Sequence, residues 1–277
     1  MKPFAGMPLG SALILFVALA GALLAPLLAP YDPDQVDVLH RFTPPFWLEG
    51  GSMEHLLGSD DLGRDILSRL LYGGRISMLV AVVCVTSDAV LGTLIGMLAG
   101  YLGGWVDAAL MRLADVMLAL PYLLIALVVV SVLGASLVNV VVIIVALRWA
   151  GLARIVRGET LGIKQRDYVA LARVGGVGRA AILLRHVLPN VMNSVIVVST
   201  LGVGTVILFE SALSFLGVGV PPPTATWGGM VADGRGSIGS AWWVSLFPGL
   251  AITAVCLACN LLGDWLREVF DPKSMRA

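Results

Sequence analysis

VMLALPYLLIALVVVSVLGASLVNVVVIIVAL, residues 116–147, runs from Asp115 to Arg148 without one charged side chain. A helix that crosses a bilayer needs about 20 consecutive apolar residues. This stretch is longer than one helix requires. Gly134, Ser136 and Asn139 supply a turn inside it, so it reads as two spans, over 113–133 and 137–153. Working outward, further apolar runs predict spans near 9–29, 77–100, 190–213 and 243–263. The fold class is all-α and integral to the membrane, with six transmembrane helices.

Composition agrees. The chain is 58% hydrophobic and 13% charged, against about 25% charged in soluble domains. With so few charges a water-facing surface is hard to build, and lipid is the alternative solvent. Formal net charge is zero, which leaves no general argument for nucleic acid as a partner. Cys84, Cys256 and Cys259 all lie in apolar runs, so the C-x-x-C at 256–259 reads as small helix-packing residues. Lys2 precedes an apolar run from Leu9 that meets no charge before Asp32, longer than a signal peptide requires. The first helix is expected to be retained.

Lys and Arg set the orientation. With the N-terminus inside, inner segments hold Lys2, Arg112, Arg154, Arg157, Lys164, Arg166, Arg173, Arg179, Arg185, Arg267, Lys273 and Arg276. Outer segments hold Arg41, Arg64, Arg69, Arg75 and Arg235, while Arg148 is expected to snorkel to the cytoplasmic edge. Both termini are therefore expected in the cytoplasm. The chain divides into 1–30 (first helix), 31–76 (extracytoplasmic segment with an amphipathic helix) and 77–277 (five-helix core with an inner loop, 154–189).

Three segments outside the spans carry information. In the outer one, Ile66, Leu67, Leu70 and Leu71 recur at helical spacing, with an acid before them and Gly73-Gly74 closing a short amphipathic helix. This helix either leads into the second span or docks an external partner through Asp60, Arg64, Asp65 and Arg69. The inner loop holds a half-apolar helical run, Tyr168 to Val174, a glycine corner from Gly175 to Gly178, and a second run from Arg179 that is expected to stop at Pro189. It is too apolar to be disordered and needs a cytoplasmic cover. The third segment, 210–230, carries Pro221-Pro222-Pro223 and Trp227, and suits an interfacial or partly re-entrant loop.

The inner loop resembles the "EAA" loop of binding-protein-dependent ABC importer permeases. The matching positions are Ala170-Leu171-Ala172, Gly176 and His186-Val187-Leu188-Pro189, with Ala170 in place of the acid and His186 where Ile is common. Leu57 to Asp65 with Ser68-Arg69, Ser214 to Gly219, Tyr101 to Gly104 with Asp107, Met111-Arg112 and Asp115, and Asn260 to Asp264 resemble the dipeptide, oligopeptide and nickel subgroup, in its "C" subunit form. The resemblance implies the type I importer permease fold in a bacterial inner membrane, and a homologous permease as heterodimer partner. It also implies two cytoplasmic ATPase subunits and an extracytoplasmic binding protein. Residues 157–178 would then form the coupling helix, with Arg157, Arg166 and Arg173 as charge partners, Tyr168 and Val169 as apolar contacts, and Gly176 at the exit.

ATP and magnesium are expected on the partner ATPases. A phosphate loop ends in Gly-Lys-Ser/Thr, and none of Lys2, Lys164 and Lys273 follows a glycine. No residue is expected to be catalytic, and His40, His55 and His186 lack the spacing of a metal site. Asp88 and Glu210 lie within spans and are candidates for the pathway. The resemblance implies peptides as cargo, with nickel, metal chelates or glutathione as the alternative. A secondary transporter without an ATPase is the competing class.

Overall fold

A computed structural model describes residues 7–270. Lys2, Lys273 and Arg276, and with them both chain ends, lie outside the described residues. Every long element is helical: α1 (Leu9–Leu23), α2 (Ala25–Leu28), α3 (Ile66–Leu102), α4 (Gly104–Ala119), α5 (Tyr122–Leu133), α6 (Leu137–Lys164), α7 (Asp167–Val174), α8 (Arg179–Ile182), α9 (Leu188–Phe215), α10 (Trp227–Gly234) and α11 (Trp243–Phe270). Among the described residues, four helices are long and apolar enough to cross a membrane: α3, the continuous run Arg179–Phe215, α6 and α11. The pair α4 and α5, bent by 88°, adds a fifth when counted as one broken span. With the shorter apolar α1, prolonged by α2 after Leu24, the molecule is compatible with six crossings.

Several boundaries differ from expectation, each for a physical reason. The second span does not begin at 77. Asp65 caps α3 by accepting from Ser68 N, and the helix runs 37 residues, about 55 Å, well beyond the hydrocarbon thickness. Gly73 and Gly74 do not end it. They admit a neighbour instead: a Cβ on Gly74 would lie 3.0 Å from the Trp227 ring. The expected third span is broken at Leu120-Pro121, where extended backbone separates α4 from α5. The fourth span continues past 153 to Lys164, so the first part of the inner loop is the stem of α6.

Pro189 does not stop its helix either. A π turn over Leu183–Val187 precedes it, and Leu188 N–H reaches back to Leu183 O. The widened turn relieves the clash between the proline ring and the carbonyl one turn earlier, so the helix passes through.

The centre of the bundle is the α3–α6 pair. Gly92, Gly96 and Gly100 face Leu152, Ala153, Val156 and Thr160, and a Cβ on Gly96 would stand 2.5 Å from Ala153 O. Small residues at this spacing bring two backbones together where lipid offers no hydrophobic drive. Gly96→Val is expected to destabilise the purified chain by about 1–3 kcal/mol through overpacking. Thermal melting in detergent checks it, with Gly158→Ala, where a Cβ meets open space, as the unaffected control.

Residues 29–65 have no long helix and cover one end of the bundle. Ile66, Met230, Ala241, Trp243 and Val244 form a buried cluster there with Phe42, Leu48 and Leu57. Trp243 Nε1 donates to Ser59 O at 3.1 Å, so the cover is bonded to α11.

Candidate functional site

At the opposite end stands the α7–α8 knob. Asp167 in its first turn suits the positive end of the α7 dipole. At the other end Gly176 N–H bonds Arg173 O and Val177 N–H bonds Ala172 O, while Gly176 takes φ +79°. These paired bonds around a left-handed residue are a Schellman stop. A Cβ on Gly176 would touch nothing, so the glycine answers a need of the backbone, not of space.

The knob is rooted in the bundle by Val169, fully buried with Ile182, Val187, Met97, Tyr101 and Val156. Val169 therefore faces its own chain, which corrects its expected role as an outward contact. The outward apolar residues are Leu171 at 71% and Val174 at 88% exposure, with Tyr168 half-exposed against the His186 ring. Leu171 and Val174 were legible in the sequence: they lie two and five positions after Val169, off its face of the helix. Ala170 is exposed and Ala172 half-buried.

The three expected charge partners separate. Arg157 is not in the knob. It sits on α6 and grips Asp107 of α4 with two bonds, Nε to Oδ1 at 2.9 Å and Nη2 to Oδ2 at 2.5 Å. Arg154 likewise pairs with Asp115. These pairs brace α4 against the stem of α6. Of residues 157–178, expected to form one helix, 157–164 belong to α6 and the helix of the knob is α7 alone. Arg173 lies over the Tyr101 ring at 5.9 Å, and Arg166 is exposed before α7.

The four residues expected to dock an external partner are buried. Asp60, Arg64, Asp65 and Arg69 are each no more than 6% exposed. Asp60 accepts from Arg64 Nε at 2.6 Å and from the backbone N–H of Leu62 and Arg64. Arg69 Nη2 and Arg64 Nη2 reach Asp233 of α10 at 3.4 and 3.5 Å. Asp65 binds His55 Nδ1 at 3.1 Å besides capping α3. These charges tie the end cover to α3 and α10, and their burial removes them from any docking surface. Burial pushes the Asp233 carboxyl up, while Arg69 and Arg64 pull it down. Nearby, the Asp37 carboxylate bonded to His40 raises that imidazole above its ordinary value.

The two candidate pathway acids also part. Glu210 is fully buried and accepts from Ser214 Oγ at 2.8 Å. Asp88 instead lines a cavity of about 260 Å³ with Arg148, Tyr122, Leu152, Ser199 and Gly202. Arg148 Nε donates to Asp88 Oδ2 at 2.7 Å. Arg148 does not snorkel: α6 continues to Lys164, so its side chain is far from the helix end and finds its counter-ion inside. Trp227, in the segment expected to be an interfacial or partly re-entrant loop, is buried, with Nε1 donating to Leu70 O at 2.9 Å.

Long apolar helices, a charged cavity halfway along them and a rooted, exposed helical knob at one end define a membrane-spanning transport subunit. The profile of the family described as binding-protein-dependent transport system inner membrane component matches residues 92–276, and the chain belongs to that family. It is 44% identical over 269 residues to the di/tripeptide transport system permease protein DppC of Pseudomonas aeruginosa, covering 97% of this chain and 89% of that one. It is 42% identical to the dipeptide permease DppC of Haemophilus influenzae, over 97% of this chain and 90% of the relative. The glutathione transport system permease protein GsiD of Pectobacterium atrosepticum is 41% identical, over 94% and 85% of the two chains.

Proposed function

We propose that this chain is one of two homologous permease subunits in an ATP-driven importer of short peptides, in a bacterial inner membrane. The two permeases enclose the pathway, an extracytoplasmic binding protein delivers the cargo, and two cytoplasmic ATPases drive the cycle. The α7 end and both termini face the cytoplasm, as the Lys and Arg distribution favours. The observation that carries the reading is the knob. Its inner face is rooted in the bundle through Val169, and its outer face offers Leu171 and Val174 to a partner. Because α8 continues through the π turn into α9, displacement of the knob moves a whole membrane helix, a rigid-body route between outward and inward access. ATP and magnesium belong to the partners, since no lysine here follows a glycine.

Dipeptide-named relatives support peptide cargo, and the glutathione-named relative keeps a tripeptide thiol within the same chemical class. Purification of the tagged chain is expected to bring down a second permease of this family and ATP-hydrolysing subunits. Leu171→Asp with Val174→Asp is expected to reduce recovery of the ATPases about tenfold while the second permease stays, because a buried unpaired carboxylate is strongly disfavoured. Peptide uptake by the chain reconstituted alone would point to a secondary transporter and end this reading.

A further inference from the structure

The Asp88–Arg148 pair borders a cavity between helices. Three helices bring it together: Asp88 from the apolar middle of α3, Arg148 near the middle of α6, and Ser199 with Gly202 near the middle of α9. An ion pair halfway across a bilayer is expensive to keep and is expected to face protein or a watery cavity. This one faces a cavity of about 260 Å³.

The bonding is incomplete. Arg148 uses Nε on Asp88 Oδ2, which leaves the edge formed by its two Nη groups for a second carboxylate. Asp88 Oδ1 and Ser199 Oγ are buried without any hydrogen-bond partner. Buried polar atoms left unpaired mark a site waiting for a ligand, a water or an ion. Gly202 gives the guanidinium its room, since a Cβ there would stand 3.1 Å from Arg148 Nη2. Tyr122 and Leu152 add an apolar wall.

We infer that this cavity is a transit site for the charged backbone ends of a short peptide, on the reading that the chain serves a peptide importer. The Nη edge of Arg148 takes a carboxylate in the two-bond geometry that guanidinium favours. Asp88 Oδ1 and Ser199 Oγ accept from an ammonium or amide N–H. The pair supplies one charge of each sign, so the cavity stays neutral when empty and matches a zwitterion when filled. The bonds to Asp88 Oδ1 and Ser199 Oγ replace unmet ones, whereas those to Arg148 compete with its ion pair to Asp88.

The test uses the assembled importer in proteoliposomes with its binding protein and ATP. Two measurements are made: uptake, and alkylation of Val198→Cys, a half-buried cavity position, by a thiol reagent. The native cysteines are buried and contribute little background. A dipeptide and, separately, glutathione are compared with the dipeptide amide. Dipeptide is expected to slow alkylation at least threefold and its amide much less; protection by glutathione alone would assign the same site to that cargo. The neutral double variant Asp88→Asn with Arg148→Gln is expected to assemble and keep ATPase stimulation by loaded binding protein, yet lose uptake by tenfold or more. Wild-type uptake in the double variant overturns the inference and makes the pair a packing device. So does alkylation indifferent to every peptide that the wild type takes up. A wild-type importer that moves no peptide at all refutes the peptide reading instead.

Discussion

Gly176→Val is expected to abolish most peptide uptake while the importer still assembles and still hydrolyses ATP. Gly176 holds φ +79°, a left-handed conformation that disfavours L-residues by about 1–2 kcal/mol and β-branched ones most. The strain is relieved by opening the corner, which removes the bonds from Gly176 N–H to Arg173 O and from Val177 N–H to Ala172 O. Leu171 and Val174 then lose their fixed direction relative to α9. A shift of this size changes the population of a rigid knob about tenfold. The free space around a Cβ at Gly176 means that folding itself should survive. Gly176→Asn, which tolerates the left-handed region, should retain much of the uptake. Equal transport by the Val and wild-type importers, at equal expression, would show that the corner transmits nothing.

Asp60→Ala should produce the largest loss of stability, about 3–5 kcal/mol, because it takes the nearest carboxylate from the buried Arg64 guanidinium and one of two from Arg69. Arg64 and Arg69 are 6% and 3% exposed, and Asp60 Oδ2 is 2.6 Å from Arg64 Nε and 3.6 Å from Arg69 Nε. Without Asp60, Arg64 keeps only Asp233 at 3.5 Å and the half-exposed Asp61 at 3.6 Å, and Arg69 keeps Asp233 at 3.4 Å. The variant also loses the acceptor that holds the Leu62 and Arg64 backbone N–H groups. Asp61→Ala is the control: its side chain is 47% exposed, so its ion pair is worth at most about 1 kcal/mol. Thermal unfolding of the detergent-solubilised chain compares the two. Equal melting temperatures would mean that the four charges hold nothing together.

Much of the knob was readable one residue at a time. The run from Gly175 to Gly178 announced a corner after a short helix, but not that Gly176 is the residue that turns left-handed. Val169 was identified as apolar, but its direction was not, since one valine on a short helix can face its own bundle or a partner. The end-cover charges were misread for a related reason. Arg64, Asp65, Ser68 and Arg69 read as the polar face of an amphipathic helix, and such a face ordinarily meets water. Here it meets residues 31–63 and α10, which no helical periodicity reveals.

Sequence alone determined that the chain is an all-helical membrane protein and that a glycine-cornered knob protrudes from it. It also showed that no lysine here can serve a phosphate loop. These properties are local: apolar run length sets the solvent, and backbone freedom at one residue sets a corner. Tertiary structure decided where helices end and which charges meet. Gly73-Gly74 and Pro189 carry the marks of helix breakers, yet the Trp227 ring and a π turn let their helices continue. Arg148 and Asp88 are 60 residues apart, and Arg69 and Asp233 are 164 apart. A charge in an apolar environment must find a counter-ion wherever the fold brings one, so those partnerships belong to the packed bundle.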